Sequence, residues 1–293
     1  MQTTEPSFLC VGIGEVLWDQ LPGGSAPGGA PANFAWHAQQ LGADARIVSA
    51  VGRDAPGASL VAELSRWGLR TDTIGCNEHP TGAVAVSLDR TGSPTYQIRE
   101  HAAWDHVGPT TEARSLAAQA HAICFGTLGQ RAPTSRQTCR ELVAACPGLR
   151  VFDCNLRQGH WSLPVVEESL RLANVFKLNS EELETLAPLL GLRGDDEQRM
   201  RALADRYGLR AVALTRAAAG SALLLDAALA GHGGSPVDVV DTVGAGDAWC
   251  AALVMGILRG HDAQRIATHA QSVASFTCTR RGAMVELPPD LRG

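Results

Sequence analysis

The seven residues Asp241-Thr242-Val243-Gly244-Ala245-Gly246-Asp247 concentrate the chemistry available to this chain. They lie between a β-branched run and a long apolar stretch, so they read as a turn that opens a helix. Gly244 and Gly246 permit backbone shapes closed to other residues and let a ligand approach the amides. The first helical turn offers N–H groups without intrahelical acceptors and the positive end of a dipole, a setting for developing phosphate charge. A carboxylate has the wrong sign for merely binding phosphate. Asp247 therefore has another task, and taking a proton from an attacking hydroxyl is one. The plainer alternative is a glycine turn with Asp247 as a helix cap.

A second polar string, Asn179-Ser180-Glu181-Glu182, carries an Asn followed three residues later by a Glu, the spacing of a capping box. Other chemistries lack their spacing. No G-x-x-x-x-G-K-[ST] string exists, Gly12-Ile13-Gly14-Glu15 does not continue as a dinucleotide fingerprint, and no His/Cys pattern suits zinc. A net charge of −5 supplies no basic field for nucleic acid or an anionic membrane. Eight cysteines without a C-x-x-C pair, and an opening without a secretory signal, point to reduced thiols in the cytoplasm.

These residues need a frame, and short β-branched runs alternating with amphipathic stretches supply one: an α/β sheet covered by helices on both faces. Strands are expected at Phe8–Ile13, Arg46–Val51, His121–Phe125, Leu149–Asp153, Val175–Leu178 and Arg210–Thr215. A helix is expected over Pro31–Leu41, and another where Leu60, Leu64 and Trp67 recur at helical spacing. Ser221–Leu225 and Val237–Val240 read as antiparallel strands at one edge, and Ala245–Arg259 and Asp262–Cys278 as two packed helices. Ala83–Leu88 and Pro94–Ile98 flank the polar turn Asp89–Ser93 and suggest a hairpin, which with Thr71–Gly75 would make a small separate sheet over the core. One continuous domain over residues 1–293 is expected, with lid strands from about 14–20, 71–76 and 82–105.

The string 241–247 resembles the C-terminal signature of the PfkB, or ribokinase-like, carbohydrate kinases. Gly28-Gly29-Ala30-Pro31-Ala32-Asn33, with Leu41-Gly42 and Val51-Gly52-Arg53-Asp54-Ala55-Pro56-Gly57, resembles that family's N-terminal signature, and the pattern runs from about Phe8 to Glu286. The resemblance implies a three-layer α/β/α core with a small β-sheet lid, and ATP-dependent phosphorylation of a sugar hydroxyl with Asp247 as base. The amides of Gly244, Ala245 and Gly246 would form the anion hole. Asp241 and the Val243 carbonyl match positions that bind a monovalent cation such as K⁺. Asn179 and Glu182 match an N-x-x-E motif associated with Mg²⁺ and the nucleotide phosphates.

Asp153-Cys154-Asn155-Leu156-Arg157 resembles a D-x-N-x-R segment in which Arg157 would reach the phosphates. At the sugar end the resemblance implies Asp19 as acceptor for substrate hydroxyls, Gly28 and Gly29 as close backbone, and Asn33 as donor and acceptor. Thr215-Arg216-Ala217-Ala218-Ala219-Gly220 resembles a nucleotide-site turn, keeping Thr215 and Gly220, but Ala217 replaces its first glycine. Tyr96-Gln97-Ile98-Arg99 and Ala102–Asp105 look like bacterial fructokinases, with Arg99 a substrate contact or the partner of a surface acid. A hexose such as fructose is the first expectation. A ribose or nucleoside kinase, and a non-catalytic sugar-binding relative, are the alternatives. The lid would either cover one site or clasp a second subunit as a homodimer.

Overall fold

The computed structural model describes residues 7–21, 23–88, 94–157 and 159–292. Its main sheet has nine strands: β1 (Leu9–Ile13), β4 (Asp44–Gly52), β5 (Ile74–Asn77), β8 (Ala122–Phe125), β9 (Leu149–Asp153), β10 (Val175–Asn179), β11 (Ala211–Thr215), β12 (Ser221–Leu225) and β13 (Ala228–His232). A second sheet holds β2 (Leu17–Leu21), β3 (Gly24–Gly28), β6 (Gly82–Leu88) and β7 (Pro94–Ile98). The main order is β13-β12-β11-β10-β9-β8-β1-β4-β5, parallel except at β12 and β13.

Both faces of the parallel sheet are covered, which is why its strands are nearly continuous apolar runs. On β1, Cys10 faces α1 (Ala30–Gln40), α2 (Ala55–Arg66), α8 (Ala245–Leu258) and α9 (Ala263–Cys278), whereas Val11 and Ile13 face the opposite layer. That layer holds α3 (Thr111–Gln119), α4 (Pro133–Ala145), α5 (Leu163–Leu172), α6 (Ser180–Leu189) and α7 (Asp196–Tyr207). The three layers and the separate small sheet are the ribokinase-like architecture.

Two sequence expectations change. The segment 71–76 does not join the lid: β5 pairs parallel with β4, Ser49 opposite Ile74 through Gly52 opposite Asn77. A strand that returns after a strand and a helix completes a right-handed βαβ crossover beside the first strand. The lid instead recruits Gly24-Ser25-Ala26-Pro27-Gly28, a poor strand former that survives at the sheet edge, where proline's missing donor is tolerated. Val237–Val240 forms no strand either. β12 pairs with β13 across Asp226-Ala227, both at positive φ (46° and 69°), the geometry of a two-residue hairpin. The lid hairpin β6–β7 is present as expected; its tip, Asp89–Ser93, lies outside the described residues.

Candidate active site

The chemistry-bearing residues converge at the C-terminal ends of the central parallel strands, against the start of α8. Gly244 is the N-cap of α8 at φ 79°, and a Cβ there would sit 2.6 Å from the Cα of Ala283, so only glycine fits the turn. Asp247 follows in the first helical turn. Its Oδ2 accepts a 2.8 Å hydrogen bond from Nδ2 of Asn33 on α1, joining two signatures that lie 214 residues apart in sequence. The Oδ1 of Asn33 is buried and has no donor among the described residues, an acceptor open to a ligand hydroxyl.

Lys177 was not singled out in the sequence, yet it is central. On β10 it stands opposite Asp153 of β9, and its Nζ donates to both carboxylate oxygens at 3.0 and 3.1 Å. Its side chain is only 7% exposed. A Cβ on Gly246 would lie 2.9 Å from that Nζ, so the ammonium abuts the first turn of α8, where phosphate charge would collect. The detectable signal was a lone charge within the apolar run Val175-Phe176-Lys177-Leu178, which a doubly covered strand tolerates only with a partner.

Electrostatics around this ammonium are coupled. Burial pushes the Asp247 carboxyl above its ordinary range; the Asn33 hydrogen bond and the charges of Lys177 and Arg157 offset part of that. Burial raises Asp153 to about 6, opposed by Lys177. Burial opposes the charge on Lys177, but Asp153 and then Glu182 outweigh it and hold the group well up. The Lys177 ammonium opposes the burial of both the Asp153 and the Asp247 carboxylates.

Asp19 lies on β2 at the lid. Burial lifts it to about 6, Arg157 pulling the other way. A Cβ on Gly28 would sit 2.1 Å from the Asp19 Oδ2, so the absence of a side chain at Gly28 makes room for this carboxylate. The Arg157 charge thus acts on both Asp19 and Asp247.

Glu15 is another group the sequence did not single out. It is 4% exposed, and its Oε1 accepts the Ala30 N–H at 3.3 Å, anchoring the start of the helix that carries Asn33. Burial raises it from 4.5 to about 7. A carboxyl raised on folding contributes stability that is complete below its unfolded value and is lost as pH climbs through the folded one. Glu15→Gln keeps an acceptor for Ala30 and cannot ionise. Urea unfolding should therefore show it more stable than wild type by about 2–3 kcal/mol at pH 8, with no gain at pH 4.

Several sequence-stated roles land differently. The Ala245 N–H donates back to the Thr242 carbonyl at 3.3 Å, so it is engaged before any ligand arrives; Gly246, one position into the helix, has no intrahelical acceptor. Arg99 donates from Nη1 to the Thr81 carbonyl at 3.1 Å, at the base of the lid. Asp241 receives the Val243 N–H on Oδ1 and the Gly282 N–H on Oδ2, both at 3.0 Å, and so ties the turn to the C-terminal segment.

Asn179 and Glu182 form the full capping box: the Glu182 N–H donates to Asn179 Oδ1 at 2.9 Å and the Asn179 N–H to Glu182 Oε2 at 2.8 Å. Leu156 N–H takes the remaining Glu182 oxygen at 2.8 Å, in a side chain buried beside Lys177. Glu182 therefore braces two strand ends and does not fit as a direct metal ligand. Among the described residues no three His, Cys, Asp or Glu side chains are grouped to hold a metal. At the nucleotide-type turn Ala217 does adopt positive φ (47°), which costs about 1 kcal/mol relative to glycine. Gly220, where a Cβ would meet the His232 carbonyl at 1.8 Å, has no such freedom to change.

Fold and site define a ribokinase-like phosphotransferase acting on sugars. Solved structures bear this out: that of the uncharacterized sugar kinase PH1459 from Pyrococcus horikoshii in complex with ATP superposes with a TM-score of 0.78, at 28% identity, covering 94% of each chain. The chain belongs to the pfkB family of carbohydrate kinases, which it matches over residues 20–290. The PH1459 sequence is 31% identical over 268 residues, 88% of this chain and 82% of that one. A fructokinase of Escherichia coli is 27% identical over 295 residues, 94% and 95% of the two chains. Among the described residues no helix is long and apolar enough to cross a membrane.

Proposed function

We propose that this sugar kinase transfers the γ-phosphoryl group of ATP to a hexose hydroxyl, fructose being the favoured substrate, with Asp247 as general base. The Asn33–Asp247 hydrogen bond carries the reading, because it fixes a carboxylate oxygen at the start of α8 beside a buried acceptor that has no donor among the described residues. Sugar hydroxyls bind Asp19 and Asn33 between lid and strand ends. One of them donates to the Asp247 oxygen not held by Asn33. As its O–H proton passes to Asp247, the oxygen attacks the γ-phosphorus and the bond to the ADP oxygen breaks in line. The Gly246 amide, the α8 dipole and Lys177 stabilise the charge on the transferring group. Magnesium, which neutralises phosphate charge in such transfers, would arrive on the nucleotide and keep most of its waters.

ATP-bound relatives and fructokinase sequences spanning nearly the whole chain support donor and acceptor. The test is ADP release measured across ketohexoses, ribose, ketodeoxy sugar acids and nucleosides. Fructose should show the highest kcat/KM; turnover confined to nucleosides or sugar acids would overturn the acceptor. Asp19→Ala should raise the KM for sugar by at least about tenfold and leave the KM for ATP near wild type. Equal losses on both substrates would contradict its role.

A further inference from the structure

Four side chains with hydrogen-bonding groups recur along α1 at helical spacing. Asn33, Trp36, His37 and Gln40 stand at i, i+3, i+4 and i+7, and so share one side of the helix. Each reaches the last part of the chain. Asn33 donates to Asp247. Trp36 Nε1 donates to the Val285 carbonyl at 3.0 Å, His37 Nε2 to the Ala283 carbonyl at 2.9 Å, and Gln40 Oε1 accepts the Leu287 N–H at 3.3 Å. Ala283, Val285 and Leu287 are alternately buried along a strap that follows α9 and belongs to neither sheet. Buried backbone outside a sheet needs partners from elsewhere, and α1 supplies them with side chains.

His37 is the member of this row that packing alone does not explain. A carbonyl only accepts, so Nε2 carries the ring proton and Nδ1 holds a lone pair. The residue is fully buried, and that Nδ1 has no partner among the described residues. Burial lowers the ring to about 4, the Ala283 carbonyl opposing, so it is a neutral donor across the working range. A leucine would fill the same space without stranding an acceptor. What the histidine adds is its grip on Ala283.

The phosphoryl-transfer turn rests on Ala283. A Cβ on Gly244 would lie 2.6 Å from the Ala283 Cα and 2.7 Å from its carbonyl oxygen, the oxygen that His37 holds. The adjacent Gly282 N–H is tied at 3.0 Å to Asp241, at the other end of the turn. Gly244 in turn caps α8, two residues before the Gly246 amide. A shift of Ala283 toward the turn must therefore carry Gly244 with it. Val285 and Leu287, held by Trp36 and Gln40, lie two and four residues further along the strap.

We propose that His37 is a positioning residue for phosphoryl transfer. Through the Ala283 carbonyl it fixes the height of the Gly244–Gly246 turn, as Asn33 on the same helix face fixes Asp247. This role rests on that turn being the anion hole of the proposed reaction, whichever sugar is the acceptor.

His37→Leu keeps the bulk and removes the donor. With the sugar that turns over fastest, kcat should fall about ten- to a hundredfold, while the KM values for sugar and ATP stay within about threefold. Affinity for ADP with aluminium fluoride, a mimic of the transferring phosphoryl group, is measured with that sugar present. It should fall by about the factor seen in kcat, and affinity for a non-hydrolysable ATP analogue should not. His37→Gln places an amide nitrogen where Nε2 stands and should restore most of the rate. His37→Asn reaches only the Nδ1 position and should not, and this pair gives the answer if the leucine variant fails to fold. Gln40→Leu cuts the strap from α1 at Leu287 and should leave kcat within about twofold.

Wild-type kcat in His37→Leu and His37→Asn would overturn the role. So would equal rates in the Gln and Asn variants, equal losses for the mimic and the ATP analogue, or a fall in Gln40→Leu as large as that in His37→Leu; each makes His37 a general brace. A slow Asp247→Asn beside a fast His37→Leu keeps the base and discards the positioning role. The reverse pattern, with the mimic bound weakly in His37→Leu, discards the base and keeps it.

Discussion

Replacing Asp247 with Asn is expected to lower kcat by about 10²–10⁴ while the KM for sugar moves by no more than about threefold. The amide is isosteric and still offers an oxygen to Asn33, whose 2.8 Å hydrogen bond holds the side chain in place, so the loss is confined to proton removal. The pH profile separates this from misfolding. Burial places the Asp247 carboxyl above the ordinary carboxylate range, so wild-type kcat/KM falls as pH drops through that raised value and the base is protonated. In Asp247→Asn that acid limb disappears and the residual rate is flat there. Near-normal turnover in the variant would remove Asp247 from the role.

Lys177→Met carries the second large effect. It strips the ammonium from a pair whose side chains are 7% and 6% exposed and leaves Asp153 as a buried charge without its counter-ion. Breaking a buried pair on one side costs about 3–5 kcal/mol, read here by urea unfolding at pH 7.5. The same change removes a charge that lowers the Asp247 carboxyl, so the acid limb of kcat/KM should move to higher pH. The double variant Asp153→Asn/Lys177→Met leaves no isolated charge and should recover much of the stability, yet not the rate. Recovery of both would reduce Lys177 to a structural counter-ion.

The two signatures were readable because each is a backbone device with fixed side-chain requirements: a glycine at positive φ opening α8, and a Gly-Gly-Ala-Pro entry to α1 that places Asn33. The parallel strands were readable from apolar runs bounded by turns. What escaped depended on pairing across the chain. Nothing local to Thr71–Gly75 says that the strand beginning at Ile74 returns beside β4 rather than joining the lid. Asp226-Ala227 lacks the glycine that usually announces a two-residue hairpin, so the β-branched run Val237–Val240 reads as the edge partner that Ala228–His232 in fact supplies. Lys177 and Glu15 are lone charges in apolar company whose meaning appears only when Asp153 and the first amide of α1 are set beside them. Glu182 has the capping-box spacing that ties one of its oxygens to the Asn179 amide, while its other oxygen is committed to the Leu156 amide of a segment 26 residues away. Motif spacing cannot show that commitment.

The decisive measurement is a crystal structure with fructose and a non-hydrolysable ATP analogue bound together. The account predicts one sugar hydroxyl within roughly 2.6–3.2 Å of the Asp247 carboxylate, and the γ-phosphorus in line with it against the Gly246 amide. A ternary complex in which the hydroxyl facing the γ-phosphate is held by another group, with Asp247 still turned to Asn33 alone, would contradict it.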